Sequence, residues 1–142
     1  MHNAHPASVI IDSLSAFMPA VHVLTGDLES AIKASASRLS FAAAGAALTD
    51  CNTASYFFQA HSVFAFQWKR YHANVEMYDI NKRAAVHTGW PLRPEHIESN
   101  LYLYTATKDE WYLDLAEEML LDIRNRTWTD CGLAAILDVT TG

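Results

Sequence analysis

A short polar segment around Pro94 gathers residue types that could carry out acid–base chemistry. Proline suits the first position of a helix, because its missing N–H is not needed there, so Pro94 predicts a helix start. Glu95 then lies in the first turn, Glu98 projects from a similar face, and Arg93 can fold over the same surface. Two carboxylates and one guanidinium are therefore expected at one helix end, where they could exchange protons and form strong hydrogen bonds.

The same residues also have a purely structural interpretation. Acidic residues in a first turn complement the helix dipole, which is worth roughly 0.3–1 kcal/mol each. Asp12 is equally ambiguous, since it could be a polar residue at the edge of an apolar stripe. Aromatic side chains could stack on sugars, yet at helical spacing they are more typical of core packing. These aromatic residues are Trp90, Tyr102, Tyr104, Trp111 and Tyr112.

Charge, length and cysteine content argue against several classes of protein. The 142 residues are 51% hydrophobic and carry a net charge of -6, whereas a nucleic-acid binder needs clustered Lys and Arg to contact phosphates. No apolar stretch approaches the roughly 20 residues of a membrane-spanning helix. Cys51, Cys131 and the scattered histidines predict neither a disulfide framework nor a metal site. The first residues do not have the pattern of a secretion signal.

Apolar periodicity predicts two helical hairpins. Thr25-Gly26-Asp27 joins the first pair, because Gly can end one helix and Asp can cap the next, and Pro19 is expected to bend the first helix. Thr107-Lys108-Asp109 joins the second pair. Hairpins cannot bury their apolar faces alone, so a larger array of helix pairs is expected. The stripes are Ile10, Leu14, Phe17, Val21 and Leu24; Ile97, Leu101 and Tyr104; and Trp111, Leu115, Met119 and Ile123.

Two segments depart from this helical pattern. The sequence CGLAAILDVTTG after Arg126 has no helical stripe and predicts a short strand or hairpin. Residues 34–62 are dominated by Ala and Ser, with Arg38 and Asp50 as their charged residues. This segment could be an alanine-rich helix, because Ala has the highest helix propensity, or a weakly structured insertion of biased composition.

Three stretches resemble a known enzyme family. The sequence from Pro91 to Gly142 is similar to a segment of glycoside hydrolase family 47 that runs from L-R-P-E to C-G-F-A-x-x-x-D-V-x-T-G. IDSLSAFMPAVHVLTGD resembles the family's D-S-L-x-A-F-x-P-G-L-x-x-L-x-G-D, and FAFQWKRYHANVEMYD resembles the stretch around its L-P-E motif. The ending near Cys131 and the W-K-R-Y segment resemble sequences of the ER degradation-enhancing mannosidase-like branch. The sequence near Trp128 resembles that of fungal members.

The resemblance implies a fold and a reaction. The implied fold is all-α, part of an (α/α)7 barrel of helical hairpins, with residues 1–142 as an internal fragment of one catalytic domain. The implied enzyme is an inverting α-1,2-mannosidase in the lumen of the endoplasmic reticulum. Inverting glycosidases use two carboxyl groups about 6.5–9.5 Å apart, which leaves room for a water. By motif position, Glu95 is expected to be the base and Asp12 an acid/base partner that acts through water.

The resemblance also implies substrate contacts and a cofactor. Arg93 and Glu98 match residues that bind mannose hydroxyls, and Glu76 matches the glutamate of L-P-E. That motif reads Asn74-Val75-Glu76 here, and the lost proline affects the turn that aims Glu76. The family's calcium-binding threonine and its first catalytic glutamate lie outside the match, so we expect no calcium site in this chain, and no activity from it alone. High-mannose N-glycans on misfolded glycoproteins and a protein disulfide isomerase are the expected partners.

Alternatives to the enzyme stay open from the sequence. One is a mannose-glycan binder or quality-control adaptor without turnover, and another is a helical scaffold or an inactive truncated product. Residues 34–62 interrupt the family match between Lys33 and Val63, so a translated intron is a third interpretation of that segment.

Overall fold

The structure is a computed structural model that describes residues 9–35 and 60–141. Residues 36–59, which form most of the atypical segment predicted at 34–62, lie outside the described residues, so the insertion and intron hypotheses stay predictions. The elements in chain order are β1 (Ile10–Asp12), a 3-10 helix (Ser13–Phe17), α1 (Met18–Leu24), α2 (Leu28–Ser35), α3 (Ala60–Tyr71), β2 (Met77–Asp79), β3 (Ala84–His87), α4 (Glu95–Thr107), α5 (Trp111–Thr127), β4 (Trp128–Thr129) and β5 (Gly132–Leu133).

The two predicted helical hairpins are confirmed. Gly26 ends α1 with a φ of 82°, a conformation that favours glycine, and Asp27 caps α2 by accepting a hydrogen bond from the Ser30 amide at 3.1 Å. In the second hairpin Lys108 ends α4 with a φ of 58°, and Asp109 accepts a hydrogen bond from the Trp111 amide at 3.0 Å. Helix α4 packs against both α1 and α5, so the two hairpins form one helical layer.

Part of the first predicted helix is wrong. Residues Ile10–Asp12 form a strand instead, because they pair with β2, with Ile11 opposite Tyr78. Pro19 lies in the first turn of α1, where proline is tolerated, and therefore does not bend a helix. The stripe through Leu101 is also wrong, since that side chain is 63% exposed. The buried side of α4 consists of His96, Ser99, Asn100 and Leu103.

A three-stranded antiparallel sheet in the order β1-β2-β3 was not predicted. A bulge lies between Met77 and Tyr78 in β2, and the Tyr78 side chain is buried. The predicted hairpin near the C-terminus is confirmed as β4 and β5, with Trp128 opposite Leu133. The mostly helical fold class is confirmed as well, and within the described residues the helices do not close into a barrel.

The core lies where α3 and α5 meet the segment that leads into α4. Trp68 is fully buried and donates a hydrogen bond from its indole to the Asp122 carboxylate at 3.0 Å. Trp90 packs edge-on against Trp68, with ring centroids 5.3 Å apart, and forms a two-way backbone bridge with Ile136. None of the helices in the described ranges is long and apolar enough to span a bilayer. The other large residues of this core include Val63, Val75, Tyr78, Leu115, Met119 and Val139.

Candidate functional site

A cluster of charged side chains forms where the small sheet meets the start of α4. Asp12 ends β1, Glu76 immediately precedes β2, and the register places Asp12 opposite Met77. Arg93 and Glu95 come from the chain that enters α4. Strand pairing therefore brings residues that lie far apart in the sequence to one end of a helix.

The centre of this cluster is an ion pair between Arg93 and Glu76. The Arg93 Nε donates to both oxygens of Glu76, at 3.0 and 2.8 Å, and its Nη2 donates to Oε1 at 2.5 Å. The two side chains are 30% and 22% exposed, so water screens the pair only partly. The hydrogen bonds from Arg93 are the main reason why the pKa of Glu76 is lowered, and those same bonds raise the pKa of Arg93.

Asp12 and Glu95 both act on the same guanidinium. After the contribution of Glu76, the negative charges of Glu95 and Asp12 raise the pKa of Arg93 further. Asp12 is exposed and caps the 3-10 helix, since its Oδ1 accepts hydrogen bonds from the Ser15 amide at 3.0 Å and the Ser15 hydroxyl at 3.2 Å. Glu95 has a buried oxygen, Oε2, with no hydrogen-bond partner among the described residues.

The backbone that carries Arg93 and Glu95 is locally strained. Leu92 adopts a φ of 62°, in the left-handed region, which costs a non-glycine residue about 1–3 kcal/mol. The strained residue is held from both sides, because the bridge to Ile136 fixes Trp90 and helix α4 starts at Glu95. Such strain is typical of functional sites, where the surrounding structure imposes an unusual backbone. Helix α4 begins at Glu95 with Pro94 as its N-cap, one residue later than predicted.

The segment that aims Glu76 is well anchored despite its missing proline. The Val75 amide donates to the Gln67 side chain at 3.2 Å, a bond that proline could not make. The Asn74 side chain donates to the Phe64 carbonyl at 2.9 Å, and the Glu76 amide donates to the Gly89 carbonyl at 3.0 Å. The turn is therefore fixed by hydrogen bonds in place of a proline ring.

Sequence reasoning did not identify Ser13 as part of the site. Its buried hydroxyl donates to Oε2 of Glu76 at 3.1 Å, and its amide donates to the Glu76 carbonyl at 3.0 Å. The signal was its position directly after Asp12, in the D-S-L match. His87 was also missed, and its charge contributes to the lowered pKa of Glu76. Nothing in the spacing of His87 indicated this proximity, which depends on the pairing of β2 with β3.

A layer of buried polar side chains lies behind the charged cluster. His61 and His96 are buried and stack edge-on, with ring centroids 4.9 Å apart. The His96 Nδ1 shares a hydrogen bond of 2.9 Å with the Asn74 Oδ1. Burial lowers the pKa of His61 to about 3, and burial is also the main reason why the pKa of His96 is lowered, with the proximity of His61 adding to it because two imidazolium charges would repel. Both imidazoles are therefore neutral at physiological pH.

The predicted site residues divide into two groups. The structure brings Asp12, Glu76, Arg93 and Glu95 together, whereas Glu98 is exposed one turn into α4, and no contact connects it to that cluster. Their roles in a reaction stay predictions. Within the described ranges, no group of three or more His, Cys, Asp or Glu side chains could hold a metal ion. Calcium stays an expectation for the whole protein.

Comparison with known proteins assigns the family. The model for glycosyl hydrolase family 47 matches residues 1–142. The chain is 36% identical over 126 residues to ER degradation-enhancing alpha-mannosidase-like protein 1 of Schizosaccharomyces pombe. This alignment covers 89% of this chain and 13% of that protein. It is 33% identical over 143 residues to alpha-mannosidase I MNS5 of Arabidopsis thaliana (99% and 20%). It is 28% identical over 141 residues to the human ER degradation-enhancing alpha-mannosidase-like protein 2 (98% and 20%).

These relatives are much longer than this chain, which spans between 13% and 20% of their lengths. The match nevertheless covers the whole chain, including the segments that supply Asp12, Glu76, Arg93 and Glu95. The chain therefore belongs to glycosyl hydrolase family 47.

Proposed function

We propose that this chain forms part of the active site of an inverting α-1,2-mannosidase that trims high-mannose N-glycans of misfolded glycoproteins in the endoplasmic reticulum. The observation that carries this proposal is the gathering of three carboxylates around the single guanidinium of Arg93. The names of three relatives, two ER degradation-enhancing alpha-mannosidase-like proteins and one alpha-mannosidase I, support the reaction and the compartment. A protein disulfide isomerase partner stays a prediction.

The proposed roles combine the position of each carboxylate in the family motifs with the way it is bonded. Glu76 is held as a carboxylate by Arg93 and Ser13, which suits a group that binds and orients sugar hydroxyls. Glu95 has a buried Oε2 without a hydrogen-bond partner among the described residues, and we assign Glu95 as the general base from its position in the L-R-P-E match. Asp12 is exposed and is assigned as an acid/base partner through water. Arg93 and Glu98 are assigned to mannose hydroxyls.

The stereochemistry of the product tests the reaction. Inversion requires the water and the leaving group to lie on opposite faces of the ring, so an α-linked mannose is released first as the β anomer. We would follow hydrolysis of an α-1,2-linked mannobiose by proton NMR, using the chain and any longer protein that contains it. First appearance of the α anomer would contradict the inverting assignment.

Substitution of the acidic residues tests their roles. Glu95→Gln and Asp12→Asn are expected to lower kcat by about 10²–10⁴-fold while the thermal midpoint changes little, because general acid–base catalysis contributes on that scale. Glu117→Gln is the matched control, since Glu117 is an exposed carboxylate on α5, outside the charged cluster. Unchanged kcat in Glu95→Gln would remove that residue from the mechanism.

A non-catalytic mannose-glycan binder is the second candidate. The observation that favours it is the capping role of Asp12, whose Oδ1 is already occupied by two donors from Ser15. Titration of the chain with a high-mannose oligosaccharide separates the two functions. Binding that is lost in Glu98→Ala, with no hydrolysis in the longer protein, would favour the binder, whereas hydrolysis would favour the enzyme.

A further inference from the structure

We propose that Asn125 is an N-glycosylation site that is modified on the unfolded chain, and that the attached sugars lie in the cleft beside Trp128. The inference rests on the proposed function only in its placement of the chain in the endoplasmic reticulum. Asn125-Arg126-Thr127 is the sole Asn-x-Ser/Thr triplet among the 142 residues. It lies in the last turn of α5 and is not part of the charged cluster.

The side chains of the triplet divide between surface and interior. Asn125 is exposed, as is its neighbour Arg124. Arg126 turns back toward the protein and donates hydrogen bonds to the Tyr71 carbonyl and, at 3.5 Å, to the Val139 carbonyl. Thr127 is buried, at 1% exposure. The acceptor side chain is therefore accessible to solvent, and a glycan on Asn125 would not disturb the residues packed beneath it.

The surface around Asn125 offers space and an apolar face. A cleft of about 650 Å³ is lined by Arg124, Asn125 and Trp128, a volume within the range of about 300–1,000 Å³ that small-molecule sites occupy. Trp128 is 71% exposed, which is unusual for so large an apolar ring. The C–H face of a sugar attached to Asn125 can cover this ring, and the sugar's hydroxyls can accept hydrogen bonds from Arg124.

The folded structure determines when the transfer can occur. The Thr127 hydroxyl donates to the Ile123 carbonyl at 2.6 Å, and the triplet is helical as far as Thr127. A transferase that reads the hydroxyl at the third position cannot reach it in this state. The modification must therefore precede the formation of α5, and the folded, unmodified chain should be inert to the transferase.

The reaction is a glycosyl transfer from a lipid-diphosphate-linked oligosaccharide. A bond forms between the Asn125 side-chain amide nitrogen and the anomeric carbon of the first sugar. The bond from that carbon to the diphosphate oxygen breaks, and the lipid diphosphate leaves with the electron pair. The amide nitrogen loses one proton to a base of the transferase, so the step needs no oxidant or reductant.

Translation of the full chain behind a cleavable ER leader, in the presence of microsomes, tests the site. We expect a single increment in mass that peptide-N-glycosidase removes, because the sequence holds one triplet. Asn125→Gln should abolish the increment, and Thr127→Ser should retain it. Asn81→Gln is the matched control, since Asn81 is exposed but outside any triplet. Absence of the increment in the wild-type chain, or its persistence in Asn125→Gln, would overturn the proposal.

Two further measurements test the timing and the cleft. The purified, folded chain should acquire less than a tenth of the modification that the nascent chain acquires under the same microsomal conditions, and equal modification would contradict the timing. Enzymatic removal of the glycan should lower the thermal midpoint by about 3 °C in the wild-type chain and leave it unchanged in Trp128→Ala. An equal shift in both would overturn the contact with Trp128.

The outcome is independent of the mannosidase proposal. Asn125→Gln is expected to leave mannobiose hydrolysis unchanged, because Asn125 is outside the charged cluster. Loss of hydrolysis in Glu95→Gln with no modification at Asn125 would support the mannosidase proposal and contradict the glycosylation proposal. A modified chain with no activity in any longer form would do the reverse.

Discussion

The charged cluster and the buried polar layer are adjacent, but their titratable side chains are in opposite charge states. In the cluster, Glu76 stays ionised because Arg93 supplies hydrogen bonds and charge. In the layer, His61 and His96 are kept neutral because burial disfavours the imidazolium form. Two short segments serve both regions, since Asn74 and Glu76 are two residues apart and Glu95 directly precedes His96.

The difference shows how one turn and one helix start can keep ionised side chains apart from buried, neutral polar side chains. In the Asn74-Val75-Glu76 segment, the Asn74 side chain reaches the layer and the Glu76 side chain reaches the cluster. The layer includes Asn74, which stands where the family motif L-P-E has leucine. A polar residue at that position has a partner in His96, so the buried amide does not remain unsatisfied.

A lower pH should have the largest effect on stability and should distinguish the two regions, because their side chains titrate in different pH ranges. The His61 pKa is 6.5 when unfolded and about 3 when folded, so below pH 6.5 the unfolded chain binds a proton that the folded chain refuses. The free energy of unfolding should therefore fall by about 2 kcal/mol between pH 6.5 and pH 5 from His61 alone, at about 1.4 kcal/mol per pH unit. Urea titrations at the two pH values measure this loss.

Two variants assign that loss to its region. His61→Leu should remove it, since leucine has a similar volume and no titrating group. Glu76→Gln should retain it, because the lowered pKa of Glu76 contributes stability that is present above pH 4.5 and lost only as the pH falls through the folded value. An undiminished acid loss in His61→Leu would show that His61 is not its source.

Removal of Arg93 should have the next largest effect. Arg93→Ala leaves Glu76, Glu95 and Asp12 without their shared positive charge, and we expect the free energy of unfolding to fall by about 1–2 kcal/mol. The figure is below that of a fully buried pair, because both side chains are partly exposed to water. Arg93→Lys should lie between, since it keeps the charge but not the two-point geometry. Denaturation at pH 7 with equal stability for all three proteins would refute this.

The smallest expected effect concerns Ser13. Ser13→Ala removes the hydrogen bond to Glu76 and should cost about 1 kcal/mol, while the pKa of Glu76 rises because one donor to its charged form is lost. Ser15→Ala is the matched control, because its hydroxyl bonds an exposed carboxylate and should change stability by less than about 0.5 kcal/mol. Carbon NMR titration of the Glu76 carboxyl measures the pKa, and an unchanged value in Ser13→Ala would contradict the contact's role.

Local signals in the sequence predicted the parts of the fold that depend on local contacts. The cap at Asp27, the turn at Thr107-Lys108-Asp109 and the stripe through Leu115 and Met119 were confirmed, because capping, turn formation and helical periodicity act within a few residues. The strand at Ile10–Asp12 was missed because its partner, Met77–Asp79, lies more than sixty residues further along the chain. Three residues that pair non-locally leave no periodic pattern of their own.

The candidate site shows the same division. The helix start near Pro94 was predicted from proline chemistry, and the family motifs identified Asp12, Glu76, Arg93 and Glu95. The bonds between Arg93 and Glu76 could not be predicted, since they depend on the sheet and on the left-handed backbone at Leu92. The roles of all five predicted residues, including Glu98, await the substitutions described above.

The bridge between Trp90 and Ile136 makes a distant stretch of chain responsible for the aim of Arg93. Hydrogen bonds run in both directions between these residues, and the Val139 amide donates another to the Thr88 carbonyl. Residues 136–139 therefore hold the segment that leads into α4 in place. A protease cut or an inserted tag near Leu137, which is almost fully exposed, would weaken these hydrogen bonds. Protein engineers should therefore place labels elsewhere, because this exposed loop helps to position the segment that carries Arg93 into the charged cluster.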